Sequence, residues 1–147
     1  MKKFFKALTL VFMAITVCFS VVGCSLFGAI TVDDAVANLE DAGYKVSSVT
    51  KKSELEKITA DGFIESVGYV EAEISEYDYV CAYLYEEKSI ANQEKEKFID
   101  LLDDLYEQAV EDDDVVAKKA YKNFVVNRVG KWVVFGHYEA VKAFEAK

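Results

Sequence analysis

Histidine is almost missing from this chain: His137 is the only one. A lone imidazole supplies neither a two-histidine metal site nor a nucleophile–base triad. It is expected to end a strand, half-exposed, at the start of the last helix. Cysteine is nearly as scarce, with Cys18, Cys24 and Cys81 alone. Basic side chains are outnumbered 17 to 26 by acidic ones, for a net charge of −9. A chain this acidic is expected to repel nucleic acid and anionic lipid headgroups, and nucleic acid is excluded as a partner. Also absent are G-x-S-x-G, H-E-x-x-H, C-x-x-C, P-loop and dinucleotide fingerprints. With them go the signatures of serine hydrolases, zinc peptidases, thiol oxidoreductases and nucleotide binders. No catalytic residue, metal ligand or cofactor is expected from these residues. Disorder is excluded too, because aromatic and β-branched residues run through most of the chain.

What is present begins with three lysines, Lys2, Lys3 and Lys6, ahead of a stretch from Ala7 to Val22 that is apolar except for Thr9, Thr16 and Ser20. A positive start and a short apolar core are the plan of a secretory signal. The apolar stretch falls short of the roughly 20 residues that span a bilayer. It closes on Val21-Val22-Gly23-Cys24. This tetrapeptide resembles the lipobox of bacterial membrane lipoproteins. The resemblance covers residues 1–24 only, and Val21 stands where that family more often has leucine. It implies that Cys24 carries the lipid (diacylglycerol on the thiol, with palmitate-type chains), that residues 1–23 are removed, and that the remainder is anchored to the cell membrane outside the cytoplasm. An uncleaved anchor helix running through Ile30 is the alternative, weakened by Gly23 and Gly28 and giving no reason for a cysteine at position 24.

On that reading residues 24–30 are the lipidated cysteine and a short tether, and residues 31–147 form one domain. The chain after residue 23 keeps 14 basic and 26 acidic side chains, a net charge of −12. Residues 25–30 reach only about 20 Å when fully extended, and Leu26 and Phe27 are expected to lie in the membrane interface. With Cys24 lipidated, Cys81 is left without a disulfide partner, so the fold must rest on its apolar core.

The pattern predicts an α+β domain: an antiparallel-rich sheet of about five strands with helices packed on it, in the order α-β-α-β-β-α-β-β-α. Thr31 and Asp34 mark a helix start, and Ser53 with Glu56 suggests a second capping box. Strands are expected at 44–50, 64–74 and 77–86, the last two joined at Ser75-Glu76. That turn sets Ile74 opposite Tyr77, Ala72 opposite Tyr79, Val70 opposite Cys81 and Gly68 opposite Tyr83. Ser89 is expected to cap a long helix over 90–110. A second hairpin over 121–137 turns at Val129-Gly130, and a last helix carries Val141 and Phe144.

Cys81, between Val80 and Ala82, reads as a buried small hydrophobe rather than a reactive thiol. Residues 100–114 hold eight carboxylates. Calcium favours such oxygen-rich runs, but the spacing is not an EF-hand loop and a solvated helix face is the simpler reading. With Tyr77, Tyr79, Tyr83 and Tyr85 turned inward, Val67, Tyr69, Val80 and Leu84 would share the opposite sheet face, continued by Trp132 and Val134. Left uncovered, that face would suit a protein or peptide partner in the cell envelope; burial of Tyr69 and Trp132 under a helix would remove it. The expectation is thus a membrane-anchored binding or interaction module. A small envelope enzyme using carboxylates and a structural subunit of a membrane complex are the alternatives.

Overall fold

The computed structural model describes residues 29–146. Its elements are α1 (Val32–Asp41), β1 (Lys45–Val49), α2 (Lys52–Ile58), β2 (Gly68–Ser75), β3 (Asp78–Leu84), α3 (Lys88–Glu111), α4 (Val115–Tyr121), β4 (Phe124–Val129), β5 (Trp132–His137) and α5 (Tyr138–Glu145). The strands form one five-stranded sheet, ordered β1-β2-β3-β5-β4, with every neighbouring pair antiparallel. This is an α+β fold. The expected succession of elements is present, with the seven-residue helix α4 added before the second hairpin.

Alternating side chains serve two cores, one on each face of the sheet. On one face Val70, Ala72, Val80, Ala82, Trp132 and Val134 pack beneath Ala35 and Leu39 of α1 and Ala140, Val141 and Phe144 of α5. Small residues on β2 and β3 let those helices approach closely, and the Trp132 and Phe144 rings meet edge-on at 5.2 Å. The opposite face is aromatic. Tyr69 contacts Tyr83 at 4.9 Å, Tyr83 contacts Phe98 at 5.0 Å, and Phe98 contacts Phe135 at 6.0 Å. Leu55 of α2, Phe98, Leu105 and Ala109 of α3 and Ala117 and Tyr121 of α4 complete this second core. Helices therefore cover both faces.

Local chemistry explains the helix ends. Thr31 caps α1 through a reciprocal box: its hydroxyl accepts from the Asp34 amide at 3.1 Å, and Asp34 Oδ2 accepts from the Thr31 amide at 2.9 Å. A cap of this kind is worth about 1 kcal/mol. The other two expected caps do not form. Helix α2 starts two residues earlier than the Ser53 box requires, with Lys51 at its N-cap and no side-chain bond. Helix α3 starts at Lys88, and Ser89 Oγ instead donates to Glu87 Oε2 at 3.0 Å.

The first hairpin differs from expectation by one residue. Val70 pairs with Ala82, Ala72 with Val80, Tyr69 with Tyr83 and Gly68 with Leu84, with an irregularity between Glu73 and Ser75. The turn lies at Glu76-Tyr77, not Ser75-Glu76. A one-residue slip transfers a whole strand to the other face, so Tyr69 and Glu71 share the aromatic core with Cys81 and Tyr83. Strand β2 also starts only at Gly68, and residues 59–67 are irregular. In the second hairpin Val129 pairs with Trp132, which puts Gly130 (φ +60°) and Lys131 in the turn. Tyr121, expected to open the second hairpin, is instead the last residue of α4, and β4 starts at Phe124. The N-cap of α4, Asp114, accepts from the Ala117 amide at 2.9 Å.

The fold has two distinguishable ends. At one, the start of β2, the end of β3 and the start of β5 meet: Gly68 pairs with Leu84, and Leu84 with Trp132. At the other lie the Glu76-Tyr77 turn and the end of β5 at His137. Helix α3 leaves the first end after β3 and runs 24 residues, about 36 Å, to the second.

Candidate functional site

The six residues expected to make an open partner surface do not make one. Tyr69 and Trp132 are each only 2% exposed, and Val80 and Val134 are fully buried. The register puts Tyr69 in the aromatic core, whereas Val80, Trp132 and Val134 lie on the other face with Leu84 packed against them. Val67 alone stays open, 47% exposed, just before β2. Both faces have helices over them, so the proposed docking face is filled by the chain itself.

Chemistry missed by the sequence reading lies inside the aromatic core. Glu71 is buried, with Oε2 accepting from the Tyr69 hydroxyl at 2.6 Å and Oε1 from Ser47 Oγ at 3.2 Å. Burial pushes the Glu71 carboxyl above its usual range; the two hydrogen bonds oppose that rise and the nearby Glu73 charge adds to it. The Tyr69 hydroxyl also lies 3.4 Å from Cys81 Sγ. Burial, with the Glu71 charge beside it, holds the Cys81 thiol well above its ordinary value. Such a thiol is a poor nucleophile, in keeping with a packing role. The sequence signal for Glu71 was its period-two spacing from Tyr69, legible only in the correct register.

A second buried carboxylate, Glu94 on α3, is fully enclosed. Its Oε2 accepts from the Ile64 amide at 2.9 Å, and Oε1 lies 2.7 Å from Lys97 Nζ. Lys97 also donates to the Gly62 carbonyl at 2.6 Å. Together they fasten the irregular segment 59–67 to α3, and the Phe63 ring meets Phe98 at a tilt, 4.7 Å between centroids. Glu71 and Glu94 are thus each engaged by their own protein partners.

At the far end, away from Trp132, Asp78 Oδ1 accepts from the Tyr44 hydroxyl at 3.0 Å and lies 3.7 Å from His137 Nδ1. The second distance is too long for a hydrogen bond, and Nδ1 is buried with no such partner among the described residues. Burial first, then the bond to Asp78 and the charges of Asp78 and Glu139, push the Tyr44 phenol up to about 12. His137 closes β5 and serves as N-cap of α5 without a side-chain bond.

The acidic run belongs to this same end. Tyr121 feels the charges of both Asp114 and Glu76 and, with burial as the main cause, is pushed up to about 12. Glu111, Asp112, Asp113 and Asp114 are all exposed. Among the described residues no group of three or more His, Cys, Asp or Glu side chains is arranged to hold a metal ion.

The remaining feature joins the domain to the residues before it. Trp132 Nε1 donates to the Ile30 carbonyl at 2.7 Å in a buried setting, and the Ile30 side chain is itself buried. The chain is therefore fixed from Ile30 onward. Cys24, the expected lipid attachment, lies outside the described residues, as do Leu26 and Phe27. Among the described residues no helix is long and apolar enough to cross a membrane. No protein-family model matches the chain, and neither a curated protein nor a solved structure was found similar to it.

Proposed function

We propose that this chain is a lipid-anchored protein on the extracytoplasmic face of a bacterial cell membrane, and that its single α+β domain is a non-catalytic binding or interaction module. One observation carries the reading: Val21-Val22-Gly23-Cys24 closes an apolar run that follows three lysines. A signal with this plan directs export, and the lipobox-like end adds a reason for the cysteine. The domain side of the reading draws support from its buried acids. Glu71 and Glu94 are committed to internal hydrogen bonds and an ion pair.

Growth of the producing cells with an alkyne-bearing palmitate tests the anchor. The wild-type chain should take up the label and lose residues 1–23. Cys24→Ala should do neither. Labelling of the Cys24→Ala chain, or none on the wild type, would overturn the proposal.

A further inference from the structure

We infer that the end of the domain marked by Ile30, Val67 and the Gly130-Lys131 turn is a lipid-facing surface, which rests on the phospholipid headgroups of the membrane that holds the chain. The acid-rich opposite end then points away from that membrane. This rests on the lipid-anchor reading above and adds an orientation to it.

The first argument is reach. Ile30 is held by the Trp132 indole at 2.7 Å and by its own burial. Six residues after Cys24 the chain is thus part of the folded body, and six residues span at most about 20 Å. Helix α3, at 24 residues, is about 36 Å long and carries its acidic terminus to the far end. An anchor on Cys24 holds the Ile30 end against the bilayer and leaves the other end beyond the reach of the tether unless the domain lies on its side.

Charge opposes that tilt. The C-terminal half of α3 and the turn after it hold eight carboxylates between positions 100 and 114 and no basic residue. The Ile30 end is mixed: Arg128 and Lys131 flank the Gly130 turn and Lys88 starts α3, among Asp33 and Asp34 of α1, Glu65, Glu86 and Glu87. Near an anionic bilayer, fields act over a Debye length of about 8 Å at physiological salt. Lying sideways would bring the acids within that distance; standing upright keeps them out of it. The net charge of −12 expected after residue 23 therefore does not forbid close contact with lipid, because eight of the acids lie in the run 100–114 that points away.

The surface itself suits the interface. Val67 is 47% exposed and is fixed in place by its amide, which donates to the Leu84 carbonyl at 2.7 Å. Arg128 Nη1 donates to the Gly130 carbonyl at 2.7 Å, which holds a cation beside the turn. An exposed apolar side chain on the same end of the sheet as Arg and Lys is a composition that settles at a headgroup boundary.

The full lipidated chain, reconstituted into vesicles of phosphatidylglycerol and phosphatidylcholine, tests the orientation. A fluorophore is attached to Lys131→Cys in one preparation and to Asp112→Cys in another, both sites being exposed, and headgroup-nitroxide lipids act as quencher. Quenching at position 131 should exceed that at 112 by at least twofold. Equal quenching in a chain whose mass includes the lipid on Cys24 would overturn the orientation alone. A chain whose mass lacks that lipid would overturn the anchor, and the orientation with it.

Discussion

The indole N–H of Trp132 and the backbone carbonyl of Ile30 are joined by a buried 2.7 Å hydrogen bond across 102 positions of sequence. It ties the residue that precedes α1 to the first residue of β5, next to the Thr31–Asp34 box. Replacing Trp132 by Phe keeps an aromatic ring beside Phe144 but leaves the Ile30 carbonyl buried without its donor. An unsatisfied buried group costs about 1–3 kcal/mol. The W132F chain should lose about that much stability in urea, and amide exchange at residues 31–35 should quicken.

Glu71 provides a pH signature. Its folded carboxyl titrates above the ordinary carboxylate range because it is buried. The folded state therefore holds its proton more tightly than the unfolded chain does. The associated stability is fully present below the unfolded value, about 4.3, and is lost as pH rises through the folded one. Glu71→Gln cannot ionise, so its stability relative to wild type should rise between pH 4 and pH 7. Paired urea melts at the two pH values measure this difference, and the other acids cancel in the comparison.

Glu94 and Lys97 should behave unequally. Glu94 is wholly enclosed, while the Lys97 side chain is 41% exposed. Breaking a buried ion pair costs about 3–5 kcal/mol when it leaves the buried charge uncompensated, and Lys97→Met does this to Glu94. Glu94→Ala leaves Lys97 to solvent and removes the acceptor of the Ile64 amide, a loss of about 1–3 kcal/mol. Lys97→Met should be the costlier change in urea melts, whereas Glu94→Ala should free Ile64 and quicken limited proteolysis of residues 59–67.

Gly136 has no room for a methyl group. A Cβ at this position would lie 2.3 Å from the Tyr79 carbonyl oxygen and 2.6 Å from Val80 Cα, at a backbone φ of +155°. Both neighbours are main-chain atoms of the central strand β3, so they cannot swing aside. Gly136→Ala should cost at least the 1–3 kcal/mol typical of overpacking, read as a lower melting temperature by circular dichroism.

Cys81 should stay silent towards thiol reagents. Its side chain is buried and its thiol is held well above the usual value by that burial. Site-resolved mass spectrometry after iodoacetamide treatment should find the Cys81 peptide unmodified in buffer and alkylated in denaturing urea.

The particular elements show what was legible in the sequence. Thr31 and Asp34 gave away the start of α1 because a capping box is wholly local chemistry. The stripe Phe98, Leu105 and Ala109 on α3 was visible because helical period is local too. Strand β2 was not, for a physical reason. Gly68-Tyr69-Val70-Glu71-Ala72 is buried at every position, so alternation offered no choice between faces. Glu71 lies inside because Tyr69 and Ser47 supply the hydrogen bonds that let a carboxyl be buried, and those partners depend on the register. The misplaced partner surface follows from that slip together with the long reach of α1 and α5 over the other face. Glu94 was hidden for the same kind of reason: the amide it accepts from belongs to Ile64, thirty positions earlier.

The Ile30 carbonyl also decides where mechanical load enters the molecule. A pull on the residues before Ile30 is taken up first by the bond to Trp132, and so by β5, which lies between β3 and β4. Strand β5 shares ladders with neighbours on both sides, so tension arriving there is spread across the sheet. Strand β1, at the sheet edge, is paired on one side only and could be peeled one bond at a time. Tension is thus passed to an interior strand before it can unzip an edge.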